Sequence, residues 1–208
     1  MSGSKTDIKT ILMDIGGILV SIDFNKFIAE CSKKSTKSKE EIKKYLKSSK
    51  LIKNYSLGKI KTKDFLKSLK SELGYKGKLS ELKKSWLDIL VPINKNINLI
   101  KKIRPKYNLV AISNTNPLHF QAVSKMNIYK LFDRVVLSYK VGFSKPNPAI
   151  FKETLKKTNS IINECVYIDD QKENIMVAKN LGLRSRQIKN PYQLKNILNS
   201  LGIDVSSC

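Results

Sequence analysis

The sequence predicts an α/β fold in which a Rossmann-like, doubly wound, mostly parallel sheet carries an inserted α-helical cap. Three observations predict it. An Ile- and Leu-rich run, Thr10 to Ile15, delivers one carboxylate, Asp14, into a turn containing Gly16 and Gly17, as a buried parallel strand presents a reactive group at its carboxyl end. Residues 23–93 then carry only helical periodicity. From residue 94 onward, short apolar runs alternate with helical segments. The expected division is a core of 1–22 and 94–208, with a cap of 23–93 inserted after the first strand.

The first strand covers residues 8–15. Asp23 stands as N-cap of a helix whose apolar side is Phe24, Phe27, Ile28 and Cys31. Ser38, followed by Glu40 and Glu41, opens a second helix through Ser49, with Ile42, Tyr45 and Leu46 as its stripe. Leu57-Gly58-Lys59 is a turn. Thr62 caps a helix bearing Phe65, Leu66, Leu69 and Leu73, ended by Gly74. Ser80 starts another, bearing Leu82, Trp86, Leu87 and Leu90 and stopped by Pro92, with no strand among these helices. A helix with Ile97, Ile100 and Ile103 ends at Pro105. Strands are then expected at 109–113, 135–138, 166–169 and 184–188, with helices starting near Pro117, Pro148 and Lys172 and a last one from Pro191 to Leu201.

At 208 residues, 41% hydrophobic and 27% charged, the chain is sized for one core with a smaller insertion. No apolar run approaches the ~20 residues that span a bilayer, and Met1-Ser2-Gly3-Ser4-Lys5 leads into no signal-type segment. A cytoplasmic protein with no membrane partner is expected. Cys31, Cys165 and Cys208 are widely spaced and form no C-x-x-C pair, so neither a disulfide framework nor a zinc site is suggested; Cys165 is expected in the core and Cys208 as a loose terminal thiol. The formal net charge is +23, and residues 25–106 hold 24 Lys and Arg against 7 Asp and Glu. Such a field attracts nucleic acid, anionic membranes or phosphorylated small molecules. The cations are nearly all Lys, however. Arg, the residue suited to bidentate phosphate and base recognition, is limited to Arg104, Arg134, Arg184 and Arg186, which disfavours a dedicated nucleic-acid binder.

In a doubly wound sheet the strand carboxyl ends gather at one edge, where ligands bind. The predicted strands end there in Asp14, in Ser113-Asn114-Thr115-Asn116 and in Asp169-Asp170, and the loop after the third carries Gly142-Phe143-Ser144-Lys145-Pro146. A hydroxyl, an amide, an ammonium and three carboxylates suit a metal ion and a phosphoryl group: carboxylates for octahedral Mg2+, Ser and Lys for phosphate oxygens. Taken singly, Ser113-Asn114 also reads as a helix-capping loop and Lys145-Pro146 as a turn. Asp169-Asp170 is harder to read as structural, because adjacent carboxylates at a buried edge repel each other unless a cation neutralises them.

In this order, Asp14 in Met-Asp-Ile-Gly-Gly-Ile-Leu, Ser113-Asn114, Lys145-Pro146 and Tyr167-Ile168-Asp169-Asp170 resemble the four motifs of the haloacid dehalogenase superfamily of phosphatases. Asp23-Phe24-Asn25, and Ser113-Asn114-Thr115-Asn116 followed by His119, are most similar to its bacterial sugar-1-phosphate phosphatase branch. The resemblance implies Mg2+-dependent hydrolysis of a small phosphorylated metabolite, a sugar phosphate being the first guess. It implies Asp14 as the nucleophile that forms an aspartyl phosphate. Asp14, the Gly16 carbonyl and Asp170 would hold Mg2+, with Asp169 as a further ligand or a support. Ser113, the Asn114 backbone and Lys145 would meet the phosphate, and Asn174 would steady the metal site.

The sequence departs from that pattern at Gly16, where most of these phosphatases carry a second Asp as acid and base. General acid catalysis contributes about 10²–10⁴-fold, so its loss weighs most on poor leaving groups. Asp23 could substitute, or simply cap its helix. His119, the one histidine, could contact substrate, protonate the leaving group, or be a satisfied polar residue of a first helical turn. Trp86, Tyr45 and Tyr55 could line a substrate pocket or fill the core of the cap. Two other functions fit less well. One is a catalytically lapsed relative that binds nucleic acid or a protein partner through its basic surface. The other is a dehalogenase, which would use Asp14 on carbon and need no metal.

Overall fold

The computed structural model of the protein describes residues 7–205, so Met1 to Lys5 and Cys208 lie outside the described residues. The chain runs β1 (Thr10–Met13), β2 (Val20–Ile22), α1 (Phe24–Ser32), α2 (Lys39–Ser48), α3 (Lys50–Ser56), α4 (Thr62–Glu72), α5 (Leu79–Leu87), β3 (Leu90–Pro92) and α6 (Asn94–Ile103). It then alternates: β4 (Asn108–Ser113), α7 (Pro117–Lys125), β5 (Arg134–Leu137), α8 (Ser138–Val141), α9 (Pro148–Thr158), β6 (Cys165–Asp169), α10 (Lys172–Asn180), β7 (Arg184–Gln187) and α11 (Leu194–Ser200).

Five strands form one sheet in the order β5-β4-β1-β6-β7, every neighbouring pair parallel. From β1 the chain builds outward to β4 and β5, then returns to the other side for β6 and β7. That reversal opens a crevice at the carboxyl ends of β1, β4 and β6. Both faces of the sheet are covered. Ile11, Met13, Leu109, Ala111, Val166 and Ile168 join a cluster with α6, α7 and the helices 24–87. Leu12, Val110, Ile112, Cys165 and Tyr167 join a second with Ile150 and Phe151 of α9 and Ile175 and Ala178 of α10. Burial on both sides is why these strands read as unbroken apolar runs and not as alternating ones.

Several helix starts obey their caps. Asp23 accepts from the Asn25 amide at 3.0 Å, Ser38 and Glu41 form a reciprocal capping box, and Asn116 caps α7. Thr62 and Ser80 do not cap. Their helices begin after Lys61 and Lys78; the Thr62 hydroxyl pairs with Tyr55, and Glu81 takes the Lys78 amide. Ser49 both closes α2 and caps α3, a helix concealed by its short length.

The helical segment is also bounded by strands that periodicity does not reveal. β2 and β3 pair antiparallel, Val20 with Pro92 and Ile22 with Leu90, so Leu90 and Pro92 belong to a strand and not to a helix end. Runs of three residues are too short to display alternation. The third sheet strand likewise stops at Leu137, and Ser138 opens α8. Cys31 and Cys165 are buried free thiols. No helix among the described residues is long and apolar enough to cross a membrane.

Candidate active site

Asp14 directly follows β1. Its amide donates to the Ile168 carbonyl at 3.0 Å, continuing the strand's hydrogen bonding to the residue that bears the carboxylate. Lys145 enters from the loop between α8 and α9, its Nζ 2.9 Å from Asp14 Oδ1 and 2.7 Å from Asp169 Oδ2, with none of its side chain exposed. Asn114 fixes that loop: its Oδ1 accepts from the Lys145 amide and its Nδ2 donates to the Lys145 carbonyl, both at 2.8 Å. The Asn114 side chain is thereby occupied, leaving its main chain for a ligand.

The two adjacent aspartates differ sharply. Asp169 Oδ1 accepts from the Gln171 amide at 2.8 Å and Asn174 Nδ2 at 2.9 Å, while its Oδ2 accepts from Lys145 and from the Tyr167 hydroxyl. Asp170 faces the cavity, with Gln171 Nε2 donating to its Oδ2 at 2.8 Å. Gly17, at φ +69°, lets the backbone pass beside that carboxylate: a Cβ there would fall 2.6 Å from Asp170 Oδ2. At Gly16 a Cβ would lie 3.1 Å from Ile22 Cδ1, so any side chain would have to press Ile22 aside.

Oxygens of Asp14, Asp169 and Asp170 lie within 4.8 Å of one another, and the Lys145 ammonium pairs with two of the three carboxylates, Asp14 and Asp169. Burial raises the Asp14 carboxyl to about 7, against the pull of Lys145 and with the charge of Asp169 adding to it. Asp170 is raised by burial and by Asp169. Asp169 is also opposed by burial, but the Lys145 charge and the bonds from Lys145, Tyr167 and Gln171 outweigh it and lower its pKa. Burial works against the Lys145 ammonium too, and its two carboxylate partners overcome this and raise it. The cluster is short of positive charge. A divalent cation against Asp14, Asp170 and the Gly16 carbonyl would supply it, and hard oxygen donors are those Mg2+ takes, so the residues fit that ion.

Asp14, Gly16, Ser113, Asn114, His119, Asp170 and Asn174 all line one cavity of about 510 Å³. Lys145 and Asp169 are buried behind it. Asp23 is not in its wall; the carboxylate is spent on capping α1. Trp86 and Tyr55 are buried in the aromatic core of the helices, Trp86 edge-on to Phe27 at 5.2 Å and Tyr55 stacked on Phe65 at 3.9 Å; Tyr45 packs against the same core and bonds Glu72. His119 lies between core and cavity, its Nε2 3.2 Å from the Trp86 carbonyl, and burial pushes its pKa down to about 4.

Sequence reasoning missed Tyr129 and Phe24 as cavity residues. Burial pushes the Tyr129 hydroxyl up to about 12, against the opposing pull of the Ser113 and Thr115 side chains. No motif carries Tyr129. Phe24 shares its helical stripe with Phe27, but at the helix start it is 39% exposed and forms part of the rim.

The sequence model of the haloacid dehalogenase-like hydrolases matches residues 11–188. The D-ribitol-5-phosphate phosphatase of Bacteroides thetaiotaomicron is 30% identical over 208 residues, covering 93% of this chain and 100% of that protein. A crystal structure of a HAD family enzyme from Bacteroides thetaiotaomicron matches with a TM-score of 0.84 at 26% identity, covering 93% of this chain and 99% of that one. A HAD family enzyme from the same organism, in complex with magnesium and inorganic phosphate, matches with a TM-score of 0.82 at 26% identity, covering 91% and 98%.

Proposed function

Because the chain belongs to the haloacid dehalogenase-like hydrolase family and is a phosphatase of that family working with Mg2+, we propose that it hydrolyses the phosphate monoester of a small polyhydroxylated metabolite, with Asp14 as nucleophile. The observation that carries this reading is Asp14 at the end of the central strand, 2.9 Å from the buried Lys145 ammonium and beside the open carboxylate of Asp170. Similarity along the full length to a D-ribitol-5-phosphate phosphatase supports a sugar or sugar-alcohol phosphate, and makes D-ribitol 5-phosphate the first substrate to assay.

In this reading an Asp14 oxygen attacks phosphorus in line, the bond from phosphorus to the alcohol oxygen breaks, and water then hydrolyses the aspartyl phosphate. Asp14, the Gly16 carbonyl and Asp170 would hold Mg2+, which when bound would offset the repulsion between the carboxylate and the anionic phosphate. Lys145 neutralises charge on Asp14 and on the transferring group. Asp169, engaged by four donors, supports and does not ligate: it fixes Lys145, and Asn174 fixes Asp169. The Ser113 hydroxyl and the Asn114 amide meet phosphate oxygens. Residues 23–93 act as the cap over a core of 1–22 and 94–208, excluding water from the reacting group. Gly16 has no proton to give, and His119 is neutral at pH 7, so the departing alcohol takes its proton from solvent.

The test is hydrolysis of phenyl phosphate and D-ribitol 5-phosphate by the wild type and Asp14→Asn, each with Mg2+ and with chelator. Turnover is expected to need both, Asp14→Asn losing about a thousandfold or more. Clean wild-type protein that turns over neither ester overturns the reading, and halide release without Mg2+ would replace it with a dehalogenase.

A further inference from the structure

His119, the chain's one histidine, has no part in the steps above, yet it lines the cavity beside Ser113, Asn114 and Thr115. It is held firmly. Its main-chain amide donates to Asn116 Oδ1 at 3.0 Å, and its ring stacks on the Trp86 indole with centres 5.3 Å apart and planes 23° from parallel. The Trp86 carbonyl, 3.2 Å from Nε2, can only accept, so Nε2 carries the hydrogen and Nδ1 is left with its lone pair. Among the described residues, Trp86 Nε1 is the buried side-chain polar atom without a partner. His119 Nδ1 has no protein partner either, yet it is not among the sealed polar atoms, and the ring that carries it lines the cavity. Burial keeps the ring neutral, with a pKa of about 4, so this acceptor persists across the neutral range.

The same cavity has an apolar part of its wall, with Val20, Ile22, Phe24, Leu90 and Val123. A fixed acceptor in such a wall favours a ligand that brings a hydroxyl to it, and an analogue without that hydroxyl leaves it unpaired. We propose that His119 is a specificity-determining residue: its Nδ1 accepts a hydrogen bond from one hydroxyl of the leaving alcohol, so the enzyme selects polyol phosphates over monoesters that lack that hydroxyl. The role is binding, with no proton transferred, and it rests on the phosphatase reading above.

A single histidine makes the test direct, because 15N-labelled, tag-free protein yields one imidazole. In Asp14→Asn with Mg2+, at concentrations where the 31P signal reports bound ligand, D-ribitol 5-phosphate is expected to shift the Nδ1 resonance upfield while Nε2 stays protonated. Inorganic phosphate is expected to leave Nδ1 in place. Equal Nδ1 shifts with both ligands, or none with either, overturn the proposal.

Kinetics give a second arm. For the wild type, at least one deoxy analogue of D-ribitol 5-phosphate is expected to lose about tenfold in kcat/KM, mainly through KM. His119→Phe should abolish that discrimination, and His119→Asn, whose Oδ1 can stand near the Nδ1 position, should restore part of it. If His119→Phe slows every ester equally, phenyl phosphate included, and still discriminates, the ring only packs on Trp86 and the proposal fails. A wild type inactive on all esters defeats the phosphatase reading itself. Should His119→Phe not fold, the resonance experiment decides alone.

Discussion

Asp14 and His119 line one cavity and titrate with opposite consequences. The folded pKa of His119, about 4, lies below the ordinary 6.5, so the unfolded chain takes the proton first as pH falls. The stability due to neutral His119 is complete above 6.5 and is lost as pH falls from there to about 4. Asp14, raised from 3.8 to about 7, works the other way: in the metal-free protein it stabilises below 3.8 and that gain is lost as pH rises through 7. The wild-type profile is therefore blunted, and the difference between variants is sharper. Between pH 7 and pH 5 the stability advantage of metal-free wild type over His119→Phe is expected to shrink by about 2 kcal/mol in urea denaturation. An advantage independent of pH would show that the ring is not held neutral.

At the scale of elements, the helices are tied to the loop after β4 and the start of α7 by short contacts. The Leu118 amide donates to the Tyr55 hydroxyl at 3.2 Å. Ser138 Oγ accepts from the Thr115 amide at 2.9 Å and donates to the Ser56 carbonyl at 2.8 Å, so one buried hydroxyl joins α3 to the loop after β4. Gly58 makes this approach feasible, since at φ +73° a Cβ there would fall 2.1 Å from the Tyr139 carbonyl oxygen. Gly142 has a similar φ of +77° but open space around it. Gly142→Ala should therefore cost about 1 kcal/mol, the backbone penalty alone. Gly58→Ala should cost about 3 kcal/mol or more, with a raised KM as the Thr115 loop loses its tie. Equal losses in urea denaturation would mean that the turn yields freely.

At the scale of the molecule, the charge of +23 is spread over solvated lysines, among them Lys43, Lys44, Lys47, Lys63, Lys67 and Lys83. Lys189 stands exposed at the cavity wall itself. A positive field of this size concentrates dianionic esters near the site, and salt screens it. KM for D-ribitol 5-phosphate is expected to rise about threefold between about 10 mM and about 0.3 M salt with kcat steady. A flat KM would mean that the lysines serve solubility alone. Tight, steeply salt-dependent binding of duplex DNA would instead favour the nucleic-acid alternative.

The sequence by itself determined the five parallel strands, the helical segment after the first of them, the carboxylates, Ser113 and Asn114 at the strand ends, and Lys145 in a following loop. These depend on local signals: apolar runs, caps, glycines, and polar residues at fixed places along the chain. The β2–β3 ribbon, the contrasting surroundings of Asp169 and Asp170, the place of Tyr129 in the cavity wall and the hydrogen bonding of His119 were decided by tertiary structure. Each depends on which groups distant segments bring within hydrogen-bonding reach. Asp169 is saturated because Lys145 and Tyr167 share one of its oxygens, and His119 is an acceptor because the Trp86 carbonyl claims its other nitrogen. Residue spacing along a chain encodes periodicity, but not which lone pair is already taken.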